Sequence, residues 1–265
     1  PVRQSQYSRQ IKELEDFFRT RLVERQGKGT RLTASGRELA RISRFFMLGL
    51  SNFKRGCLAE EQTFGIGGSA TFMRHFLMPA LAGSCSRQDG TRYAGEVAAD
   101  GEIERRLHDL TLDFGIVSHA ELSRPLQTAV LGRWKLQLWV PGAFRLSPAR
   151  VLQAFERGSL PLMLARELEP FGIAATTRSG ARLICDSFLD CLVALEGQTV
   201  AAVMPAFLEP KNQRSYVRVE LARRDSPDIG YFLAWNPRLL RLNPHAVRRR
   251  DWLVKTLKCS VPGSG

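Results

Sequence analysis

Hydrophobic residues recur at helical spacing near the start of the chain. Tyr7, Ile11, Leu14 and Phe18 predict an amphipathic helix with one apolar stripe. The other faces carry short polar side chains, which let a helix lie deep in a DNA major groove, and cations that reach guanine edges or phosphates. These candidate DNA-contacting residues are Gln4, Ser5, Gln6, Ser8, Arg9 and Lys12. For this segment alone, the alternative is an ordinary amphipathic surface helix.

A turn-rich basic segment follows this helix and predicts a β-hairpin. It contains Gly27, Lys28, Gly29, Thr30 and Arg31. Such a wing places cations beside DNA phosphates, which adds affinity without reading the base sequence. Lys28 and Arg31 are therefore candidate phosphate contacts.

A long helix is predicted next, reaching to about residue 53, and either Thr33 or Ser35 can cap it. Its apolar residues fall at alternating steps of three and four, which is the spacing of a coiled-coil seam. They are Leu39, Ile42, Phe46, Gly49 and Phe53. A partner helix would cover this seam, and the alternative is an intramolecular core helix.

Strand and helix patterns alternate from residue 61 onward. Helices are predicted at 70–82, 102–110, 187–195 and 245–258. Strands are predicted at 63–67, 91–99, 112–117, 126–130, 135–140, 160–165, 173–177, 200–204, 216–221 and 229–235. This alternation predicts an α/β fold with mainly parallel sheets and crossover helices.

Positive charge is concentrated at the start of the chain. The 265 residues carry a net charge of +13, and residues 1–60 contain 13 Lys and Arg against 6 Asp and Glu, so +7 lies in that segment. This concentration favours a polyanionic partner such as double-stranded DNA. The basic triplet at 248–250 is interpreted as a solvated helix face.

The cysteines and the hydropathy of the chain indicate the cellular compartment of the protein. The odd set Cys57, Cys85, Cys185, Cys191 and Cys259, without a CxxC spacing, indicates reduced thiols in a cytoplasmic protein. Cys185 and Cys191 are close in sequence, so a redox-sensing pair is an alternative to buried structural thiols. No apolar run predicts a membrane span or an export signal, and we expect no membrane partner.

Several short motifs follow one another in the first part of the chain. They are Gln4, Ser8-Arg9-Gln10-Ile11, Leu14-Glu15, Leu22-Val23-Glu24-Arg25 and Leu32-Thr33-Ala34-Ser35-Gly36. Together they resemble the signature of the LysR-type family of bacterial transcriptional regulators. Tyr7 and Val23 depart from the usual residues but keep their positions apolar.

The second half also resembles this family. The run Leu112-Asp113-Phe114-Gly115-Ile116 is similar to its helix-to-strand segment, and Val203-Met204-Pro205 to its strand ending in proline. Two family glycines are replaced by Leu110 and Thr199. If those positions require a positive φ, the turns must be rebuilt here.

The resemblance implies a domain organisation. It gives a partial winged helix-turn-helix at 1–36, a linker and dimerisation helix at 37–60, and an effector-binding domain at 61–265. The last is expected to be two-lobed and Rossmann-like, similar to type II periplasmic binding proteins, with lobe I at 61–139 and 237–265 and lobe II at 140–236. Homodimers that assemble into tetramers are implied.

The resemblance also implies that the DNA-binding domain is shortened. In the family, two helices that pack against the recognition helix precede the point at which this sequence begins. Burying the apolar stripe of that helix would contribute about 1.5–3 kcal/mol per large side chain. We therefore expect impaired DNA binding by this chain alone.

A small-molecule effector is expected in the cleft between the lobes. There, helix N-termini supply free N–H donors and the positive end of a dipole, which suits a carboxylate or similar anion. The candidate effector-binding residues are Ser69, Ala70, Thr71, Ser118, His119, Met204 and Pro205. As alternatives, Ser69 is only a helix cap and His119 only a polar loop residue.

Single features of the sequence are compatible with other classes of protein. The run 65–70 matches the dinucleotide motif G-x-G-x-x-A, but neither Asp89 nor Asp100 stands where the ribose-binding acid is required. The hydrolase motif G-x-S-x-G fails at Thr71, and the histidines lack zinc-ligand spacing. A solute-binding protein without a DNA role is a further alternative. We expect a non-enzymatic regulator without a cofactor or metal.

Overall fold

The computed structural model describes residues 4–26, 29–58, 62–83, 91–171, 181–221 and 229–262. The chain divides into two compact units, Pro1–Glu60 and Glu61–Gly265. Predictions that involve Lys28, Cys85, Asp89 and the strand at 173–177 lie outside the described residues. The side chains of Gln4, Ser5 and Cys57 are outside the description as well.

The first unit contains a helix, a hairpin and a long helix in the predicted order. Helix α1 spans Gln4–Phe18, strands β1 and β2 span Val23–Gln26 and Gly29–Leu32, and helix α2 spans Ala34–Leu58. The strands pair antiparallel, with Glu24 opposite Arg31. The predicted wing is confirmed, and α2 ends at Leu58 instead of near residue 53.

Thr33 and Gly36 fix the junction between the hairpin and α2. The Thr33 hydroxyl accepts a hydrogen bond from the Gly36 N–H at 3.0 Å and donates one to the Arg21 carbonyl at 2.7 Å. A Cβ at Gly36 would lie 2.0 Å from the Leu22 carbonyl oxygen, so only glycine fits. Thr33, and not Ser35, therefore caps α2, which explains the Leu-Thr-x-x-Gly motif.

The first sheet of the second unit has the strand order β4-β3-β5-β12-β6. Strand β3 runs parallel to β4 and β5, whereas β12 runs antiparallel to β5 and β6. The bounds are β3 Gln62–Gly68, β4 Thr91–Val97, β5 Phe114–Val117, β6 Gln127–Trp134 and β12 Ile229–Trp235.

The second sheet has the order β11-β7-β10-β8-β9. Strand β8 runs parallel to β9 and β10, whereas β7 runs antiparallel to β10 and β11. The bounds are β7 Leu136–Pro141, β8 Leu162–Ala165, β9 Ala181–Cys185, β10 Ala201–Pro205 and β11 Tyr216–Glu220. Both sheets are thus mixed. In each, the strand that follows the crossing from the other lobe, β12 or β7, runs against the other four.

Helices flank these sheets. The segment predicted as one helix at 70–82 consists of α3 Ala70–Phe72, a π-helical turn Met73–Leu77 and α4 Met78–Ala82. The further helices are α5 Asp100–His108, α6 Pro148–Glu156, α7 Phe188–Leu195, α8 Pro237–Leu242 and α9 Pro244–Lys258. Helices α6 and α8 and strand β9 were not predicted. None of the helices in the described ranges is long and apolar enough to cross a membrane.

The chain passes from one sheet to the other at different residues from the expected lobe boundaries. Strand β7 begins the second sheet at Leu136, a few residues before the expected boundary at 139/140. Strand β12 is hydrogen-bonded within the first sheet, although residues 229–235 were expected in lobe II. The choice of strand partner is non-local, so the alternation of strands and helices did not reveal it.

One of the two turns without the family glycine keeps a glycine-like backbone. Leu110 has φ 55°, in the left-handed region that costs a non-glycine residue about 1–2 kcal/mol. In the other turn the positive φ of 52° falls on Gln198 and, among the described residues, not on Thr199. The first turn therefore keeps its positive φ at Leu110, with strain. In the second turn the positive φ is shifted by one residue, from position 199 to Gln198.

Candidate functional site

A cavity of about 520 Å³ lies between the two lobes of the second unit. Its volume falls within the range of about 300–1,000 Å³ that small-molecule sites occupy. The two sheets contribute to it from opposite sides. The polar residues of its lining include Ser69, Asp100, Ser118 and Tyr231 from the first lobe and Glu167 from the second.

Glu167 bridges the lobes where a ligand carboxylate was expected. Its Oε1 accepts the Thr71 backbone N–H at 2.9 Å, and its Oε2 accepts the Thr71 hydroxyl at 2.5 Å and the Phe188 N–H at 3.0 Å. Thr71 and Phe188 lie in the first turns of the 70–82 helical segment and of α7. Free N–H groups and helix dipoles favour a carboxylate there. The chain itself therefore supplies that carboxylate.

Serine caps leave these N–H groups available. Ser69 accepts the Phe72 N–H at 3.3 Å, and Ser187 accepts the Asp190 N–H at 3.3 Å in a capping box. Each cap satisfies one donor further along its helix, so the N–H groups of Thr71 and Phe188 remain for Glu167. Ser69 is thus a helix cap and also lines the cavity.

Asp100 organises the other polar side of the cavity. Its Oδ2 accepts hydrogen bonds from the Ser118 hydroxyl and from the Ser118 backbone N–H, the latter at 2.8 Å. His119 Nδ1 lies 3.3 Å from the same oxygen. Asp100 is the first residue of α5, where a carboxylate is favoured by the helix dipole. The predicted pair Ser118 and His119 is therefore held by an acid that sequence reasoning did not assign to the site.

Aromatic rings form much of the apolar wall. The ring centroid of Trp134 lies 5.4 Å from that of Tyr231 and 6.0 Å from that of Phe188. The Tyr231 hydroxyl is buried and has no hydrogen-bond partner among the described residues. Burial raises the pKa of Tyr231 well above its usual value, and the charge of Glu167 adds to this effect. The neighbouring Ser69 side chain acts in the opposite direction. The phenol is therefore neutral at physiological pH.

Acidic groups outnumber basic ones in the described part of the cavity lining. These residues are Asp100, Glu167, Glu169 and Asp186, with the guanidinium of Arg166. Arg166 Nε lies 3.3 Å from Asp186 Oδ1, so the cation faces an acid of the same lining. This distribution contrasts with the chain as a whole, which carries +13.

The structure brings together only part of the predicted effector site. Ser69, Ala70 and Ser118 line the cavity, and Thr71 and His119 contact lining carboxylates. Met204 and Pro205 are buried in β10, opposite Gln137 and Leu136, and lie outside this lining.

Sequence reasoning missed Glu167, Tyr231 and the aromatic wall. A usable signal was present, because Glu167 follows β8 in the second lobe much as Ser69 follows β3 in the first. Both positions are at the carboxyl end of a strand, where ligands meet open α/β sheets.

The glycine run at 65–70 packs elements together. A Cβ at Gly67 would lie 2.9 Å from a Leu112 methyl group and 3.4 Å from Ile103, so glycine lets α5 and the following segment approach β3. Asp100 bonds to Ser118 and does not end a strand. Within the described ranges, no three His, Cys, Asp or Glu side chains converge as metal ligands.

Five of the candidate DNA-contacting side chains lie within the described residues, and all five are exposed. Gln6, Ser8, Arg9 and Lys12 lie on α1, and Arg31 lies on β2. Arg9 Nε lies 2.9 Å from Glu13 Oε1 in an exposed ion pair, which raises the pKa of Arg9 through that hydrogen bond. The basic side chains are therefore accessible on both the helix and the wing.

Glu15 connects the helix to the wing. Its Oε1 accepts the Leu22 N–H at 2.7 Å and the Val23 N–H at 3.1 Å. These two backbone hydrogen bonds lower the pKa of Glu15, so the carboxylate is charged at neutral pH. The acid of the Leu-Glu motif thus fixes where the hairpin begins.

Large apolar side chains are also exposed in this unit. On α1, Tyr7, Leu14 and Phe18 are each about half exposed, with Ile11 partly buried. On α2, the predicted seam residues Ile42, Phe46 and Phe53 are exposed. These faces favour a covering partner, and the exposure of the α2 seam argues against an intramolecular core helix.

Cys185 and Cys191 are adjacent in space. Their sulfurs lie 3.2 Å apart. The hydrogen bond from Cys191 lowers the pKa of Cys185, and the same interaction together with burial raises the pKa of Cys191. Both are free thiols, so the redox-pair interpretation stays a hypothesis beside that of structural thiols.

Two protein-family models match the sequence. The model described as "Bacterial regulatory helix-turn-helix protein, lysR family" matches residues 1–37, and that of the "LysR substrate binding domain" matches residues 59–258. The chain belongs to the LysR family. No curated protein sequence matches it significantly.

Solved structures of LysR-type proteins share the fold. ArgP from Mycobacterium tuberculosis has a TM-score of 0.72 at 16% identity, over 99% of this chain and 90% of that one. Full-length OxyR from Pseudomonas aeruginosa has a TM-score of 0.66 at 14% identity, over 98% of this chain and 87% of that one. LysG from Corynebacterium glutamicum, solved with bound effector Arg, has a TM-score of 0.65 at 15% identity, over 98% of this chain and 90% of that one. At these identities the likeness concerns the fold.

Membership in the LysR family decides between the function classes. The chain is a transcriptional regulator with an effector-binding domain, and this family is non-enzymatic. The dinucleotide, hydrolase and zinc-enzyme interpretations are therefore set aside.

Proposed function

We propose that this LysR-family regulator binds operator DNA through α1 and the β1–β2 wing and responds to a small molecule held in the cavity between its lobes. The observation that carries the proposal is the cavity itself, which both lobes line and whose polar groups sit at helix N-termini. A ligand there contacts both lobes, so its binding energy depends on their arrangement.

The DNA surface combines the recognition helix with the wing. We assign Gln4, Ser5, Gln6 and Ser8 to base and backbone contacts in the major groove, and Arg9 and Lys12 to guanines or phosphates. Lys28 and Arg31 would contact phosphates from the wing. Because the apolar face of α1 is exposed, we expect the 265-residue chain alone to bind an operator weakly.

We infer that α2 dimerises the protein. Its exposed seam of Ile42, Phe46 and Phe53 recurs at coiled-coil spacing, and a second copy of α2 presents the same seam. A homodimer, or a tetramer built from dimers, would remove these side chains from water and place two recognition helices for two half-sites.

The sequence favours an anion or carboxylate as effector. In the structure, however, the donors of Thr71 and Phe188 already bind Glu167. A carboxylate effector would therefore have to displace the Glu167 side chain from both helices.

A thermal-shift screen of small amines, carboxylates and neutral molecules tests the cavity assignment. Val97 lines the cavity and is exposed, so Val97→Trp narrows it without disturbing the core. Val193→Trp is the matched control, because Val193 is also exposed but lies outside the lining. Ligands of the cavity are expected to lose their stabilising effect only in Val97→Trp, and ligands insensitive to this substitution would contradict the assignment.

Duplex binding at several salt concentrations tests the DNA role. Arg9→Ala and Lys12→Ala each remove a cation that would bind a phosphate, so each is expected to reduce the slope of log affinity against log salt by about 0.9. Arg248→Ala, an exposed cation on α9, is the control and should leave the slope unchanged. Equal slopes for all three variants would favour a solute-binding protein without a DNA role.

A further inference from the structure

We propose that the effector of this protein is a small organic cation, an ammonium or guanidinium on an apolar body, and not a carboxylate. The inference rests on the proposed function in one respect, namely that the cavity between the lobes is the effector site. It goes further by assigning the charge and the polarity of the ligand.

The first argument is that the anion position is filled. Glu167 receives three hydrogen bonds from the first turns of two helices, one in each lobe. These donors are the groups that would otherwise bind a ligand carboxylate. With Glu167 in place, a second anion would meet a carboxylate, and the N–H groups of Thr71 and Phe188 are already occupied.

The second argument is the charge of the remaining lining. Besides Glu167, the carboxylates of Asp100 and Asp186 line the cavity, and the guanidinium of Arg166 lies among the described residues of the same lining. Arg166 is paired with Asp186, so it does not offset the charges of Glu167 and Asp100. In a partly enclosed site of low polarity, this surplus attracts a cation and repels an anion.

The third argument is that two acceptors remain. All hydrogen bonds to Asp100 from the described residues reach Oδ2, which leaves Oδ1 as an acceptor. The buried hydroxyl of Tyr231 lines the same cavity without a partner in the described part of the chain. A buried polar group without a partner destabilises the fold unless a ligand or water satisfies it. A cationic N–H donor suits both oxygens.

The walls suit the rest of such a ligand. Val97, Ile116 and Phe188 provide apolar contact, and the side chains of Trp134 and Tyr231 line the cavity as well. A cavity of about 520 Å³ accommodates a molecule with several carbon atoms beside its charged group.

Isothermal titration with three probes of equal length tests the charge assignment. The probes are pentylamine, 1-pentanol and pentanoate at neutral pH and equal ionic strength, added to the full chain. We expect pentylammonium to bind about tenfold more tightly than the alcohol, the factor that a charge-assisted hydrogen bond supplies. Pentanoate is expected to bind more weakly than the alcohol.

Two carboxylates on α5 give a matched pair of variants. Asp100 bonds to Ser118 inside the cavity, and Glu104 bonds in the same way to the N–H and hydroxyl of Ser123 outside it. Asp100→Asn should weaken pentylammonium binding about tenfold, whereas Glu104→Gln should not. Tyr231→Phe removes only the unpartnered hydroxyl, so it keeps the packing and should weaken pentylammonium binding several-fold while sparing 1-pentanol.

The outcomes separate this inference from the proposed function. Tighter binding of pentanoate than of pentylammonium would overturn the cation assignment and leave the cavity as an effector site. Equal effects of Asp100→Asn and Glu104→Gln would overturn it too, as would no binding of pentylammonium. The cavity assignment of the proposed function is contradicted by a different result, namely ligands from the screen that are insensitive to Val97→Trp.

Discussion

The two units of this chain differ in where they keep their aromatic side chains. On α2, Phe46 and Phe53 are 65% and 74% exposed, whereas Trp134, Phe188 and Tyr231 around the cavity are nearly buried. The exposed faces offer apolar area and no enclosed space, so they call for another macromolecule. The cavity offers enclosed space with polar groups at fixed positions, so it calls for a small ligand. We therefore propose that association covers the exposed side chains of the first unit and that a ligand occupies the cavity of the second.

The largest expected effect concerns the exposed seam. Phe46→Asp should weaken a symmetric α2 dimer by about 3–6 kcal/mol, because each buried phenylalanine contributes about 1.5–3 kcal/mol and a two-fold interface contains it twice. Sedimentation velocity measures the dissociation constant. Val193→Asp places the same charge on an exposed apolar site of the effector domain and is expected to leave association unchanged. Equal dissociation constants for wild type and Phe46→Asp would show that this face of α2 does not form the interface.

Removing Glu167 should have the next largest effect, and in the other unit. Glu167→Ala leaves the donors of Thr71 and Phe188 without their acceptor, which is expected to lower the free energy of unfolding by about 3 kcal/mol. Urea denaturation measures it. Glu121→Ala, which removes an exposed acid of the same unit, should lower the free energy of unfolding by less than about 0.5 kcal/mol. If both variants cost the same, Glu167 does not hold the lobes together.

The sequence predicted those parts of the molecule whose determinants are local. The wing follows from glycines and β-formers within ten residues, and Thr33 with Gly36 follows from a short motif. Glu167 and Thr71 are 96 positions apart, so no local pattern connects them. The same holds for β12, whose pairing with β5 and β6 gives the sheet its mixed direction.

The structure places part of the predicted effector site at helix ends beside the cavity, and it places Glu167 there as well. Gly67 to Thr71 does lie at a strand-to-helix junction beside the cavity, as the pattern predicts. The pattern carries no information on the side chain that arrives from the second lobe. That acid changes the expected charge of the ligand.

A smaller effect is expected at the junction of wing and α2. Thr33→Ala removes the helix cap and should cost about 1 kcal/mol, whereas Ser35→Ala should cost only a few tenths. Native-state hydrogen exchange of α2 amides measures the difference within the first unit. If Ser35→Ala is the more destabilising variant, the assignment of the cap is wrong.

The thiol pair should produce the smallest effect, visible only in reactivity. Because the pKa of Cys185 is lowered by the hydrogen bond from Cys191, its alkylation should persist to lower pH than that of an ordinary cysteine. Cys191 has a raised pKa and should remain unreactive. Iodoacetamide labelling with peptide mass spectrometry follows both residues. In Cys191→Ala the pH dependence of Cys185 alkylation should move to higher pH. An unchanged pH dependence would show that Cys191 does not lower the pKa of Cys185.

Titration of pentanoate into wild type and Glu167→Ala tests most directly whether Glu167 takes the place of a ligand carboxylate. In the variant the helix donors of Thr71 and Phe188 are free, so pentanoate is expected to bind about tenfold more tightly than to wild type and to restore part of the missing stability. Equal pentanoate affinity for both proteins would contradict this role of Glu167.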